Sequence, residues 1–348
     1  MLHVRQRGMA LHAFERATDT GTAGDTPTYP PRQHSRVWRS TAVAAALLLL
    51  APRILGDSVV PAMVIAGAWA IAAVGLNTLA GRAGLVSLGQ GGLVAVGAYA
   101  TAYASATWGW AAEPSLLFGV AAGLVVALLT APICRLQGFY LATATLAMAL
   151  IVQRLLVAQQ NITGGANGFG GIQRLSLLGV AITTEWQFYV LVWGVAIGAV
   201  VLNENLLRSR FGRALDAIHA DEATAAAAGI AVARHKQAAW LISAAHCALA
   251  GGLYAYYNLF LTPDQFPLSA SIDLIAAVVV GGAGTMLGPI VGIIVIDVGP
   301  AQLQIGAAWS SLVAPGLLVC FASFFPRGLL PQLESLLRRM WARRGGGR

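Results

Sequence analysis

Apolar residues occupy long runs along the chain, and most polar residues fall between the runs rather than inside them. A run of about 20 apolar residues is the length of a helix that crosses a bilayer. Runs of this kind lie at 37–56, 59–80, 84–106, 114–134, 138–158, 187–203, 237–260, 271–287, 288–304 and 309–326. They predict an all-α, polytopic membrane protein with about ten transmembrane helices, some interrupted by glycine. Between 271 and 304, Gly281-Gly282-Ala283-Gly284 and Gly288-Pro289 break the pattern, so this stretch reads either as two spans or as a re-entrant pair. The range is therefore roughly eight to ten crossings.

The interval 204–236 departs most from the apolar background. It carries Glu204, Arg208, Arg210, Arg213, Asp216, Asp221, Glu222, Arg234 and Lys236. Asp and Lys each cost about 3 kcal/mol at bilayer depth, so the interval is expected in water. With the N-terminus inside, the connections at Gly81–Arg82, Arg135 and 204–236 and the C-terminus, which hold most of the arginine, all face the cytoplasm. The opposite connections hold Asp57, Glu113, Glu185 and Asp264 and few basic residues, so the positive-inside rule puts both termini in the cytoplasm. Arg53 and Arg154 lie near segment ends, where long side chains snorkel. The polar tail 1–36 lacks the apolar centre of a signal peptide and reads as a disordered cytoplasmic segment. A membrane domain over 37–330 and a basic cytoplasmic tail over 331–348 complete the organisation.

Inside the polar interval, Phe211, Leu215 and Ile218 share one helical face. The Ala-rich run 223–228 favours helix, and Gly229 is a natural stop. A short amphipathic helix followed by a turn is expected. Its apolar face either rests on the chain's own membrane domain or sits in a groove of a partner.

Composition supports the membrane reading: 57% of residues are hydrophobic and 10% charged, against about 25% charged in soluble domains. The formal net charge of +8 sits at segment ends and in the C-terminal Arg338, Arg339, Arg343 and Arg344, with no basic face interleaved with aromatics, so nucleic acid is not an expected partner. Cys134, Cys247 and Cys320 are far apart and form neither a disulfide framework nor a metal site, and His246 has no partner at ligand spacing. The chain's one lysine, Lys236, lies between His235 and Gln237, so there is no Walker A loop and no ATP site. No catalytic constellation emerges, and neither enzyme activity nor a cofactor is expected.

Two glycine-broken stretches stand out, Gly81-Arg82-Ala83-Gly84-Leu85-Val86-Ser87-Leu88-Gly89-Gln90-Gly91-Gly92 and Val280–Pro289. Such breaks either allow close helix approach or free backbone groups to face a polar pathway. Asn77, Ser87, Gln90, Tyr140, Thr143 and Thr145 are the polar residues within spans that would line such a pathway. Asp273 and Asp297 should avoid lipid and face the bundle interior, a cavity or the interface.

Several blocks resemble the inner-membrane permease subunits of branched-chain amino acid ABC importers, a group that includes permeases for urea and short-chain amides. Gly75-Leu76-Asn77 through Ser87-Leu88-Gly89-Gln90-Gly91 resembles an early family block. Gly138-Phe139-Tyr140-Leu141-Ala142-Thr143 with Thr145-Leu146, and Thr163-Gly164-Gly165 with Asn167-Gly168, resemble two more. Ser209-Arg210-Phe211-Gly212-Arg213-Ala214, Asp221-Glu222, Ala226, Gly229-Ile230 and His235-Lys236 are similar to the family's ATPase-coupling region, although His219 stands where the family usually has arginine. Pro263-Asp264, Ser271-Ile272, Gly281-Gly282, Gly284-Thr285, Gly288-Pro289 and Phe325-Pro326-Arg327-Gly328-Leu329 extend the resemblance over roughly 60–330. It implies a homologous second permease chain, two cytoplasmic ATPase chains that bind ATP and magnesium, and an extracytoplasmic solute-binding protein. It implies coupling through Arg210, Phe211, Gly212, Arg213, Asp221, Glu222 and Gly229, in a bacterial-type inner membrane. An ion-coupled secondary transporter is the rival reading.

Overall fold

The computed structural model describes residues 56–299, apart from 178, and the isolated position 316. The predicted runs 37–56 and 309–326 and the tails 1–36 and 331–348 lie outside the described residues, but for Gly56 and Gly316. Ten helices are labelled here. α1 (Val60–Leu76) starts with a proline in its first turn, where no amide is needed, and runs on into a π-helical turn, Asn77–Arg82. α2 (Gln90–Thr107), α3 (Ala112–Thr130, with a 3-10 extension Ala131–Arg135) and α4 (Gly138–Ala158) follow. A small antiparallel pair, β1 (Ser176–Leu177) and β2 (Val180–Ala181), sits in the connection to α5 (Glu185–Arg208). Thr184 and Gln187 start α5 with a capping box. α6 (Arg210–Ala220) and α7 (Glu222–Ala227) lead to α8 (Val232–Asn258), and α9 (Leu268–Gly281) to α10 (Gly288–Ile293), which ends in a second π-helical turn, Ile294–Val298.

α8 is the hub and packs on α2, α1 and α3, while α1 also packs on α5 and α9 lies along α10. Two buried tryptophans pin these contacts. Trp193 of α5 donates its indole N–H to the Met63 carbonyl of α1 (3.1 Å), and Trp240 of α8 donates to Ala127 of α3 (3.0 Å). Each bond satisfies a polar atom that would otherwise be buried alone.

Among the described residues, six helical stretches are long and apolar enough to cross a membrane: Val60–Arg82, Ala112–Arg135, Gly138–Ala158, Glu185–Arg208, Val232–Asn258 and Pro263–Gly281. α2 is not among them. It is enclosed by other helices and so can carry small and polar residues that a lipid-facing helix could not.

Three sequence expectations need correction. The run 84–106 is not one helix, because 83–89 is non-helical and α2 begins only at Gln90. The polar interval 204–236 shrinks to 209–231, because α5 continues to Arg208 and α8 begins at Val232. Glu204 and Lys236, whose charges argued for water, are buried: Glu204 pairs with Arg208 (3.1 Å) and Lys236 with Glu222. Finally, the amphipathic segment is two helices, because Asp221 leaves helical geometry to cap α7 through the Thr224 amide.

Candidate functional site

The first glycine-broken stretch opens the backbone ahead of α2, and hydroxyl side chains close it. Thr145 of α4 accepts from the Leu88 amide (3.0 Å), Ser87 from the Gly89 amide (3.2 Å) and Ser271 of α9 from the Gly91 amide (3.0 Å). Thr145 also donates to its own helix at Leu141 and Ala142, as threonine does in apolar surroundings. Gln90 extends the cluster: its amide donates to Ser87 (3.3 Å), and its carbonyl accepts from Ser243 (3.3 Å) and Cys247 (2.9 Å) of α8. Every member except Leu88 is buried. Three of the residues expected along a pathway, Ser87, Gln90 and Thr145, are thus brought together with their polar groups engaged by the protein.

Asn77 serves the second broken stretch. Its Nδ2 donates to the Thr285 carbonyl (2.8 Å), and its Oδ1 accepts from the Gly284 amide (2.7 Å). The two broken segments therefore touch. Gly81 meets the Gly284 backbone so closely that any side chain there would collide with it. Beside Asn77, Thr78 donates to Asn203 of α5 (2.8 Å), and Asn203 donates back to the Val74 carbonyl (3.1 Å). A small cleft lined by Val74, Asn77, Asn203, Glu204, Gly284 and Thr285 lies at this junction.

Tyr140 and Thr143 are not part of either cluster. Tyr140 is 73% exposed on the uncovered face of α4, and Thr143 nearby bonds back to Phe139 and Tyr140. Asp273 and Asp297 are both partly buried, on α9 and in the turn after α10, two elements that pack on each other. Ser243, Cys247, Ser271, Asn203 and Thr285 were not singled out as pathway residues from sequence. Ser243 and Cys247 had a signal, the i, i+4 spacing that puts them on one face of α8.

Beyond the C-terminal end of α5, the apolar stripe of α6 is already covered by the chain itself. Leu215 and Ile218 are buried, and Phe211 stacks on His235 of α8 at 5.9 Å between ring centroids. Most of that stripe thus rests on the chain's own helices, with Phe211 partly exposed. Arg210, Arg213, Asp216 and His219 face outward instead, with Arg213 donating to the Arg208 carbonyl (3.3 Å). Gly212 is buried against the end of α5, where a side chain would strike the Leu207 backbone. Glu222 takes a second bond from Gln137 ahead of α4 (2.9 Å) besides its pairing with Lys236. Asp221 is fully exposed, and amide hydrogen bonds from α7, chiefly from Thr224, hold its carboxyl below the usual carboxylate range. Gly229 turns the chain with a φ of 84°, the geometry its lack of a side chain permits.

Six helical stretches long and apolar enough to cross a bilayer, an enclosed polar helix and broken segments with internally satisfied backbones are the features of a multi-pass membrane protein. The chain belongs to the family described as branched-chain amino acid transport system / permease component, whose model matches residues 58–322. It is 32% identical over 322 residues to the high-affinity branched-chain amino acid transport system permease protein LivM of Escherichia coli, covering 84% of this chain and 75% of that one. The LivM protein of Salmonella typhimurium is 32% identical over 294 residues, covering 77% and 69%. A probable branched-chain amino acid transport permease protein LivM of Methanocaldococcus jannaschii is 25% identical over 235 residues, covering 62% and 67%. No solved structure matches the chain.

Proposed function

We propose that this chain is one transmembrane subunit of an ATP-driven importer of branched-chain amino acids, forming half of the translocation pathway. Its membership of the permease family over 58–322 carries this reading. In it, α6 and α7 face the cytoplasm and meet a separate ATPase chain that binds the nucleotide and magnesium, so the permease itself needs no cofactor. A second permease chain, a second ATPase and an extracytoplasmic solute-binding protein complete the assembly, in a bacterial-type inner membrane with both permease termini inside.

The surface geometry supports coupling through charge. The apolar side of α6 is spoken for within the chain, which leaves the exposed Arg210 and Arg213, the latter with one donor already given to the Arg208 carbonyl, to meet a partner. Phe211, Gly212 and Glu222 then act from behind, by fixing α6 and α7 to α8, α5 and α4. Nucleotide-driven motion of the ATPase pair would bias the spans between two access states whose populations the nucleotide shifts.

The test is uptake into proteoliposomes holding both permease chains, the ATPase and the binding protein. Labelled leucine, urea and acetamide are compared with and without ATP. Leucine uptake that requires ATP is expected. Uptake by the purified chain alone in a proton or sodium gradient would replace this reading with ion-coupled transport.

A further inference from the structure

Resting on the importer reading, we propose that the π-helical turn Asn77–Arg82 is a positioning element joining α6 to the loop 282–287, with Asn77 as its latch. The turn engages three separate parts of the chain within two revolutions of helix. At one end, the Arg82 guanidinium reaches the Asp216 carboxylate of α6 at 3.3 Å, and the His219 ring of the same helix lies over Gly84 just beyond. Next to Asn77, Thr78 holds Asn203 in the last two turns of α5, the helix that leads directly into α6. At the other end, Asn77 grips a backbone donor and a backbone acceptor of the loop that separates α9 from α10.

The chemistry at position 77 is specific. A primary amide offers a donor and an acceptor side by side, which matches the Gly284 N–H and the Thr285 C=O. Aspartate would keep the acceptor and lose the donor, and leucine would keep the shape and lose both. The π-helical geometry widens the turn at this point, and such insertions are frequent at functional positions. The contact also crosses the chain's two halves, since Asn77 and Gly284 are 207 residues apart. Displacement of α6 is therefore passed to the break between α9 and α10 by hydrogen bonds and an ion pair, so the two move as one block.

The experiment uses the assembled transporter in proteoliposomes, with Cys320 replaced by serine and spin labels on Ala220→Cys of α6 and Ala283→Cys of the loop, both exposed positions. Label distance, ATP hydrolysis and leucine uptake are compared between nucleotide-free and vanadate-trapped states. In the unmodified background, the distance is expected to stay the same in both. Asn77→Leu should keep ATP hydrolysis, let the distance change on trapping and lower uptake per ATP by about tenfold, the shift expected from losing one or two net hydrogen bonds. Trp193→Phe, which removes the buried bond to Met63 elsewhere on α1, controls for lost stability and should retain the full ratio. An unchanged ratio in Asn77→Leu, an equal loss in Trp193→Phe, or a label distance that already changes in the background each overturns the inference. Background uptake that ignores ATP overturns the importer reading and this inference with it.

Discussion

The two glycine-broken segments solve the same problem in opposite ways. In the first, the amides opened before α2 are met by hydroxyls from α4, α9 and the segment itself, and Gln90 ties the cluster to α8. In the second, Asn77 reaches in from the π-helical turn after α1, while the Thr285 hydroxyl bonds locally, to the Gly282 carbonyl at 2.6 Å. Residues 283–287 are at least partly exposed, whereas Ser87, Gly89, Gln90 and Gly91 are buried. A membrane interior demands that every freed backbone group find a partner. A cluster drawn from three helices meets the demand rigidly, whereas one side chain meets it in a way a single event can undo. The first break is an anchor and the second a joint.

The most severe way to break this contrast is to force the two segments apart. Gly81→Val would drive a side chain into the Gly284 backbone and is expected to destabilise the folded chain on the order of 3 kcal/mol. A lowered Tm in detergent would register it. An unchanged Tm would show that the close approach is not needed.

A finer cut separates anchor from joint. Gln90→Leu takes the acceptor of the Ser243 hydroxyl and the Cys247 thiol away in an apolar interior, while Ser87 keeps its bond from the Gly89 amide, and should cost about 2 kcal/mol. Thr285→Val removes a bond that water can replace and should cost well under about 1 kcal/mol. Equal losses of thermal stability in the two variants would erase the distinction.

The smallest effect lies at the surface break at Asp221. Its carboxyl is held below the ordinary carboxylate pKa by bonds to α7, so the cap contributes fully above that ordinary value. The contribution disappears as pH falls through the lowered folded value. Amide exchange at Thr224, corrected for the intrinsic rate, should accelerate there, and Asp221→Ala should remove the pH dependence.

Much of this was legible in the sequence. The run 138–158 coincides with α4 because it is uninterrupted and bounded by Gly138. Both breaks were visible as glycine clusters, and the turn at Gly229 as a stop after alanines. The start of α2 was hidden because Leu85, Val86 and Leu88 keep the apolar run unbroken, and the hydroxyls that cap it come from Thr145 and Ser271. The boundary of α8 was misplaced for a related reason. A lone lysine reads as solvent-seeking, and its acidic partner, Glu222, belongs to another helix. Likewise, no periodicity announces that Asn77 meets Gly284. Local pattern reported hydrophobic length and backbone punctuation, while partner choice across the fold stayed invisible to it.

That same enclosed lysine makes the protein its own chemical clock. Lys236 is the one side-chain amine in 348 residues and is 2% exposed, held by Glu222. An amine-directed acylating reagent should therefore spare Lys236 in the closed chain and reach it only during the moments when α7 lifts away. The rate at which the adduct at this one residue accumulates would measure how often this part of the surface opens, with no substitution in the sequence.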